Sequence, residues 1–192
     1  MQIPIDVIQR TVTYQDVLDC FYLGSLDAYV GGGEYEDVSD ILGMKQYIYS
    51  VQLPETNATL WFSDAYGSTG PESGGQTIIS LLMPDFDPTW LFLMQYEGRE
   101  LVGDKAIIGL LKEALRANYS QKIFRGGRGP EEYTSPNFPG LIYSNKLEIP
   151  EGFGWSSVTQ WFKGFELIRN LSGETQFYHN ITGKMLVGLP SR

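Results

Sequence analysis

Few residues in this sequence can do acid–base or nucleophilic chemistry. The chain has 192 residues with one histidine, His179, and one cysteine, Cys20. An imidazole titrating near pH ~6.5 suits a general base, and the alternative for His179 is a half-buried strand histidine bonded to a neighbour. Glu166 lies inside the aromatic run Trp161-Phe162-Lys163-Gly164-Phe165-Glu166. A carboxylate there must find a partner; Arg125 or His179 would satisfy it, as a structural ion pair or as a ligand-binding or catalytic carboxylate. One reading is therefore a small hydrolase or isomerase using His179 with Glu166 or Asp64, and a Ser–His triad is open only through His179. Common zinc sites need three or four His, Cys or carboxylate ligands, so no metal and no cofactor is expected. Cys20 falls within a helical pattern and reads as a small buried residue rather than a nucleophile.

The second cluster of chemistry-bearing residues is the loop Phe124-Arg125-Gly126-Gly127-Arg128-Gly129-Pro130. Guanidinium forks beside exposed backbone N–H groups suit phosphate or carboxylate; the alternative is a solvated loop. The run Gly31-Gly32-Gly33 lacks the Lys-Ser/Thr of a phosphate loop and follows a helix instead of preceding one, so it reads first as a turn and second as a ligand contact.

These groups need a scaffold, and composition bounds it. Hydrophobic residues make up 42% of the chain and aromatics 14%, enough for a real core. The 22 glycines and 10 prolines are scattered, as short strands and tight turns require. With 14 basic and 23 acidic residues the net charge is −9, which disfavours direct contact with nucleic acid or an anionic membrane. A lone cysteine permits no intrachain disulfide, and no stretch approaches the ~20 apolar residues of a membrane span, so a cytoplasmic protein is expected.

Residues 1–12 form an arm whose alternating Ile3, Ile5 and Val7 could add an edge strand. Thr13 and Asp16 resemble a capping arrangement for a helix over 14–27. Residues 34–40 read as an acidic surface loop, 45–52 and 58–67 as a hairpin, 67–75 as a Gly/Ser/Pro loop and 76–83 as a strand. Along 89–97, alternation puts Trp90, Phe92, Met94 and Tyr96 on one face and Leu91 and Leu93 on the other. Ile107, Leu110, Leu111, Ala114 and Leu115 form one stripe on a helix over 104–117. Four further strand-like runs follow, with turns near residues 172–174 and 181–183.

Several segments, in order, resemble the bacterial domain of unknown function 5680. They include Tyr29-Val30-Gly31-Gly32-Gly33, Asp64-Ala65-Tyr66-Gly67, Met94-Gln95-Tyr96-Glu97-Gly98, Phe124-Arg125-Gly126, Gly129-Pro130-Glu131-Glu132-Tyr133, Trp161 to Glu166 and Tyr178-His179. Domains of that family occur alone or behind a helix-turn-helix segment. The resemblance implies an effector-sensing or small-molecule-binding module, here without the DNA-binding part.

The combined expectation is one α+β domain over 1–192, with a family-like part at 13–188. A curved, mostly antiparallel sheet would pack on one main helix, with a second helix near the N-terminus. The helix would cover one face of the sheet. On the other face Tyr66, Trp90, Tyr96 and Trp161 would wall a pocket, with Arg125, Arg128, Glu166, Tyr178 and His179 as polar contacts. The expected ligand is a flat anionic small molecule such as a nucleotide derivative. A protein-interaction module, with a homodimer as its product, is the third reading.

Overall fold

Strands rich in aromatic and β-branched residues, most of them bounded by turns with Gly, Pro or Asn, build one open antiparallel sheet. The computed structural model describes residues 1–39, 43–54, 56–126, 128–148 and 161–190; the expected strand residues 157–160 lie outside them. In chain order the strands are β1 (Glu36–Ser39), β2 (Met44–Gln52), β3 (Thr59–Thr69), β4 (Glu72–Leu82), β5 (Thr89–Glu100), β6 (Glu132–Tyr133), β7 (Leu141–Glu148), β8 (Trp161–Asn170) and β9 (Thr175–Met185). They lie in the order β1-β2-β3-β4-β5-β9-β8-β7-β6. The helices are α1 (Ile5–Thr11), α2 (Tyr14–Asp27) and α3 (Lys105–Ser120). The fold is α+β, and among the described residues no helix is long and apolar enough to cross a membrane.

α2 begins where Thr13 and Asp16 form a capping box, each side chain taking the other's backbone N–H. Asp104 caps α3 by accepting from the Ala106 amide at 2.9 Å. The stripe Ile107, Leu110, Leu111, Ala114 and Leu115 is buried as its spacing requires. Phe21 of α2 joins the layers, its ring meeting Phe92 at 5.5 Å, Tyr119 at 5.8 Å and Phe62 at 6.3 Å. α2 and α3 thus share one face of the sheet, over β3, β5 and their neighbours.

Several expectations change. The N-terminal arm is a helix from Ile5, not an edge strand: Pro4 precedes its first turn, Asp6 sits within that turn and Ile8 is buried. Residues Glu36–Ser39 are a strand paired with β2, where an acidic loop was expected. The expected Gly/Ser/Pro loop of 67–75 is the paired end of β3 and β4, and only Gly70 and Pro71 separate the two strands. β9 runs straight through Gly183, whose missing side chain makes room for the Phe162 ring; a Cβ there would lie 2.3 Å from Phe162 Cζ.

The largest change concerns β5. Phe92 pairs with Ile79 but Trp90 with Ser80, so Leu91 is an extra residue in a β-bulge. The bulge reverses the alternation: Leu91 is fully buried, and Trp90, 53% exposed, leaves the face of Phe92 and Met94. The helices cover that aromatic face. The open face carries Trp61, Trp90, Trp161 and Phe165.

Leu110 is fully buried on α3, whereas Leu101 is exposed. Leu110→Ala should cost about 2–5 kcal/mol of unfolding free energy, and Leu101→Ala no more than about 0.5 kcal/mol, both measured by urea denaturation.

Candidate functional site

A single row of residues crosses the sheet on its helix-covered face. The pairings Ser68–Ser73, Ser73–Gly98, Gly98–His179, His179–Glu166 and Glu166–Asn145 place six residues from six adjacent strands in line. Side chains in such a row lie close enough to bond across the strands.

Glu166 has no exposed surface. Its Oε1 accepts from Arg128 Nε at 3.0 Å, from Arg128 Nη2 at 2.5 Å and from His179 Nδ1 at 2.8 Å, and its Oε2 accepts from the Tyr143 hydroxyl at 2.8 Å. Burial alone would push this carboxyl up, but Arg128 and His179 outweigh it and hold it at about 2. An ionised carboxylate can only accept, so the Glu166 bond puts the imidazole proton on Nδ1. Arg128 Nη2 is farther from Nδ1, at 3.4 Å, and does not compete. His179 Nε2 is therefore the acceptor, and 3.1 Å away lies the Ser73 hydroxyl. Burial lowers the imidazole pKa below its ordinary value and Glu166 only partly restores it.

The imidazole reaches Ser73, two strands away, because residue 98 is glycine. A Cβ at Gly98 would stand 2.4 Å from His179 Cδ2 and 1.9 Å from the Tyr178 carbonyl oxygen. Gly75 plays the same part for Tyr96, whose hydroxyl would lie 2.6 Å from a Cβ there.

The loop that delivers Arg128 is held from two sides. Asn118 of α3 donates to the carbonyls of Ile123 at 2.8 Å and Arg128 at 2.5 Å. Asn145 of β7 donates to those of Arg125 at 3.0 Å and Gly129 at 2.9 Å. The Gly129 amide donates to Tyr143 Oη at 2.9 Å, so Tyr143 ties the loop to Glu166. This loop, whose alternative reading was a solvated segment, buries one arginine and leaves the other outside.

Above the row, between the sheet and the helices α2 and α3, lies a cavity of about 240 Å³. Its apolar wall includes Phe62, Met94, Ile108, Leu111, Leu115 and Phe177. Asp64, Ser73, Thr77, Tyr96, Arg128 and His179 give it a polar side. Gly70 and Pro71 are exposed lining residues, so the cavity opens at the turn between β3 and β4. Asp64 accepts from Tyr35 at 2.7 Å, Thr77 at 3.0 Å and Tyr96 at 3.4 Å. Burial still raises its pKa, and those bonds offset only part of the rise. The Arg128 guanidinium stands 5.1 Å over the Tyr96 ring.

Of the residues named from sequence, Tyr66, Tyr96, Arg128, His179 and Asp64 line this cavity, with Glu166 behind Arg128 and His179. The others lie elsewhere. Trp90 and Trp161 are 53% and 42% exposed on the open face. Tyr178, next to His179 on a strand, points to that face too and packs at 6.2 Å from Phe165. Arg125 is turned outward toward Glu131 at 3.7 Å, so of the two expected partners of Glu166 His179 is one, and Arg128 takes the place of Arg125. The pocket wall is accordingly the helix-covered face, not the opposite one. Ser73, Tyr143 and Asn145 were not foreseen, because only strand register brings them to the row; Asn118 was legible as one more turn of the α3 stripe.

No family model, curated protein or solved structure matches the chain.

Glu166→Gln leaves the Arg128 charge buried without its counterion and should cost about 3–5 kcal/mol. Urea denaturation should show at least half of that loss recovered in the double variant Glu166→Leu/Arg128→Met, which removes both charges. The single histidine also gives a clean pH signature. Below its ordinary pKa the unfolded chain binds a proton that the folded chain refuses, so stability is present at neutral pH and is lost as pH falls. The drop in Tm between pH ~7 and ~5 should be shallower in His179→Gln than in wild type.

Proposed function

We propose that the chain is a small-molecule-binding domain of the sensing or sequestering kind, acting in the cytoplasm through the cavity between its sheet and helices. The observation that carries this reading is the built polar side of an otherwise apolar cavity. Arg128 lines the cavity with its Nε and Nη2 bonded to Glu166, while its Nη1 has no hydrogen-bond partner among the described residues and is not fully buried, so it is open to a ligand. His179, on the same polar side, bonds the Ser73 hydroxyl through Nε2.

Charge and size narrow the ligand. Arg128 is matched by Glu166, and Asp64 adds a second acid to the same cavity, so the site has no unmatched positive charge for a phosphate or other strong anion. A space of about 240 Å³ also sits below the ~300–1,000 Å³ of most ligand pockets. The preferred ligand is a neutral small molecule with an apolar body and one hydrogen-bonding end, smaller than a nucleotide. The resemblance to sensor-like domains supports the same class of function.

Native mass spectrometry of the purified protein should find a small molecule retained by wild type and lost in Ile108→Trp, where a larger ring occupies the half-buried lining position. Thermal-shift assays over neutral metabolites should raise Tm for wild type only. Retention unchanged in Ile108→Trp, or no retained molecule and no shift with wild type, contradicts the proposal.

A further inference from the structure

Glu166, His179 and Ser73 form an ordered hydrogen-bond relay that ends in a hydroxyl at the cavity. Glu166 Oε1 lies 2.8 Å from His179 Nδ1, and His179 Nε2 lies 3.1 Å from Ser73 Oγ. Nδ1 carries the proton, so the Ser73 hydroxyl must be the donor to Nε2. A serine hydroxyl bonded to a neutral imidazole that is oriented by a carboxylate is the arrangement that activates an oxygen nucleophile. His179 is 5% exposed and Glu166 is not exposed at all, while Ser73 is half-buried and lines the cavity close to its opening. Reactive end and substrate space thus coincide.

We propose that Ser73, with His179 as general base and Glu166 as its orienting carboxylate, is an acyl-accepting nucleophile that hydrolyses small carboxylic esters bound in the cavity. This rests on the reading that the cavity takes a small neutral molecule. Ser73 Oγ attacks the ester carbonyl carbon while its proton passes to His179 Nε2. The ester C–O bond then breaks, and the leaving alkoxide takes that proton and departs as the alcohol. Water gives a proton to Nε2 and attacks the acyl-serine; Ser73 recovers the proton and the acid is released. The reaction consumes one water and changes no oxidation state. Arg128 lines the same cavity, and its Nη1, without a partner among the described residues, is the donor suited to the oxyanion that forms at the carbonyl. The apolar wall of Ile108, Leu111, Leu115 and Met94 suits a short aliphatic acyl chain, which a space of about 240 Å³ can hold.

The test uses an alkyl fluorophosphonate and p-nitrophenyl butyrate with the full chain. Wild type should be labelled at Ser73, located by peptide mass, and should hydrolyse the ester. Ser73→Ala should abolish both while keeping a cooperative melt and an ester-induced thermal shift. His179→Gln should lower both by at least ~100-fold, and Ser80→Ala, on the open face, should leave them unchanged. Label elsewhere than Ser73, or turnover surviving in Ser73→Ala, overturns the proposal. No labelling of wild type also overturns it, with or without a thermal shift by the ester, and leaves the binding reading to its own test by retained ligand and metabolite shifts.

Discussion

The charge on Glu166 is the constraint on which the rest of the arrangement depends. A carboxylate with no exposed surface, in the middle of a sheet, must be matched by a cation and saturated with hydrogen bonds or it will not stay ionised. Arg128 supplies the cation, His179 and Tyr143 the further donors. To deliver Arg128, the loop after α3 must fold inward, and Asn118 and Asn145 hold its carbonyls there. Ion pairs of this kind contribute little net stability when compared with apolar residues of similar volume. What the pair contributes here is placement: one loop conformation, one histidine tautomer and one acceptor nitrogen.

A second constraint is steric and comes from glycine. His179 and Tyr96 are large side chains that lie across neighbouring strands, and neither could do so over an ordinary residue. Gly98 and Gly75 supply the gaps. Above the row, α3 roofs the cavity with Ile108, Leu111 and Leu115, and α2 adds Ser25. Cavity, relay and ion pair are therefore consequences of one strand register. A slip by a single residue would turn Glu166, His179 and Ser73 to the open face.

Much of the scaffold was legible because its signals are local. The capping box at Thr13 and Asp16, the α3 stripe and the need of Glu166 for a partner follow from spacing and burial alone. What could not be read is what depends on register. The bulge at Leu91 inverts which side of β5 is buried, and it moved Trp90 out of the expected pocket wall. The choice between Arg125 and Arg128 turns on a glycine-rich loop whose direction is fixed by distant Asn118, Asn145 and Tyr143. Ser73 sits in a run that looked like a loop in sequence and gains meaning only from pairing with Gly98. Glycines that look like loop formers in isolation are, in this sheet, the positions where large side chains cross.

The state of the one imidazole condenses this account. Because His179 is the only histidine, its two ring nitrogens can be observed without assignment by nitrogen-15 NMR of the labelled protein at neutral pH. The bond to an ionised Glu166, with burial holding the imidazole pKa down, requires a neutral ring with the proton on Nδ1 and an unprotonated Nε2 facing Ser73. A proton found on Nε2, or a doubly protonated ring at that pH, would contradict it.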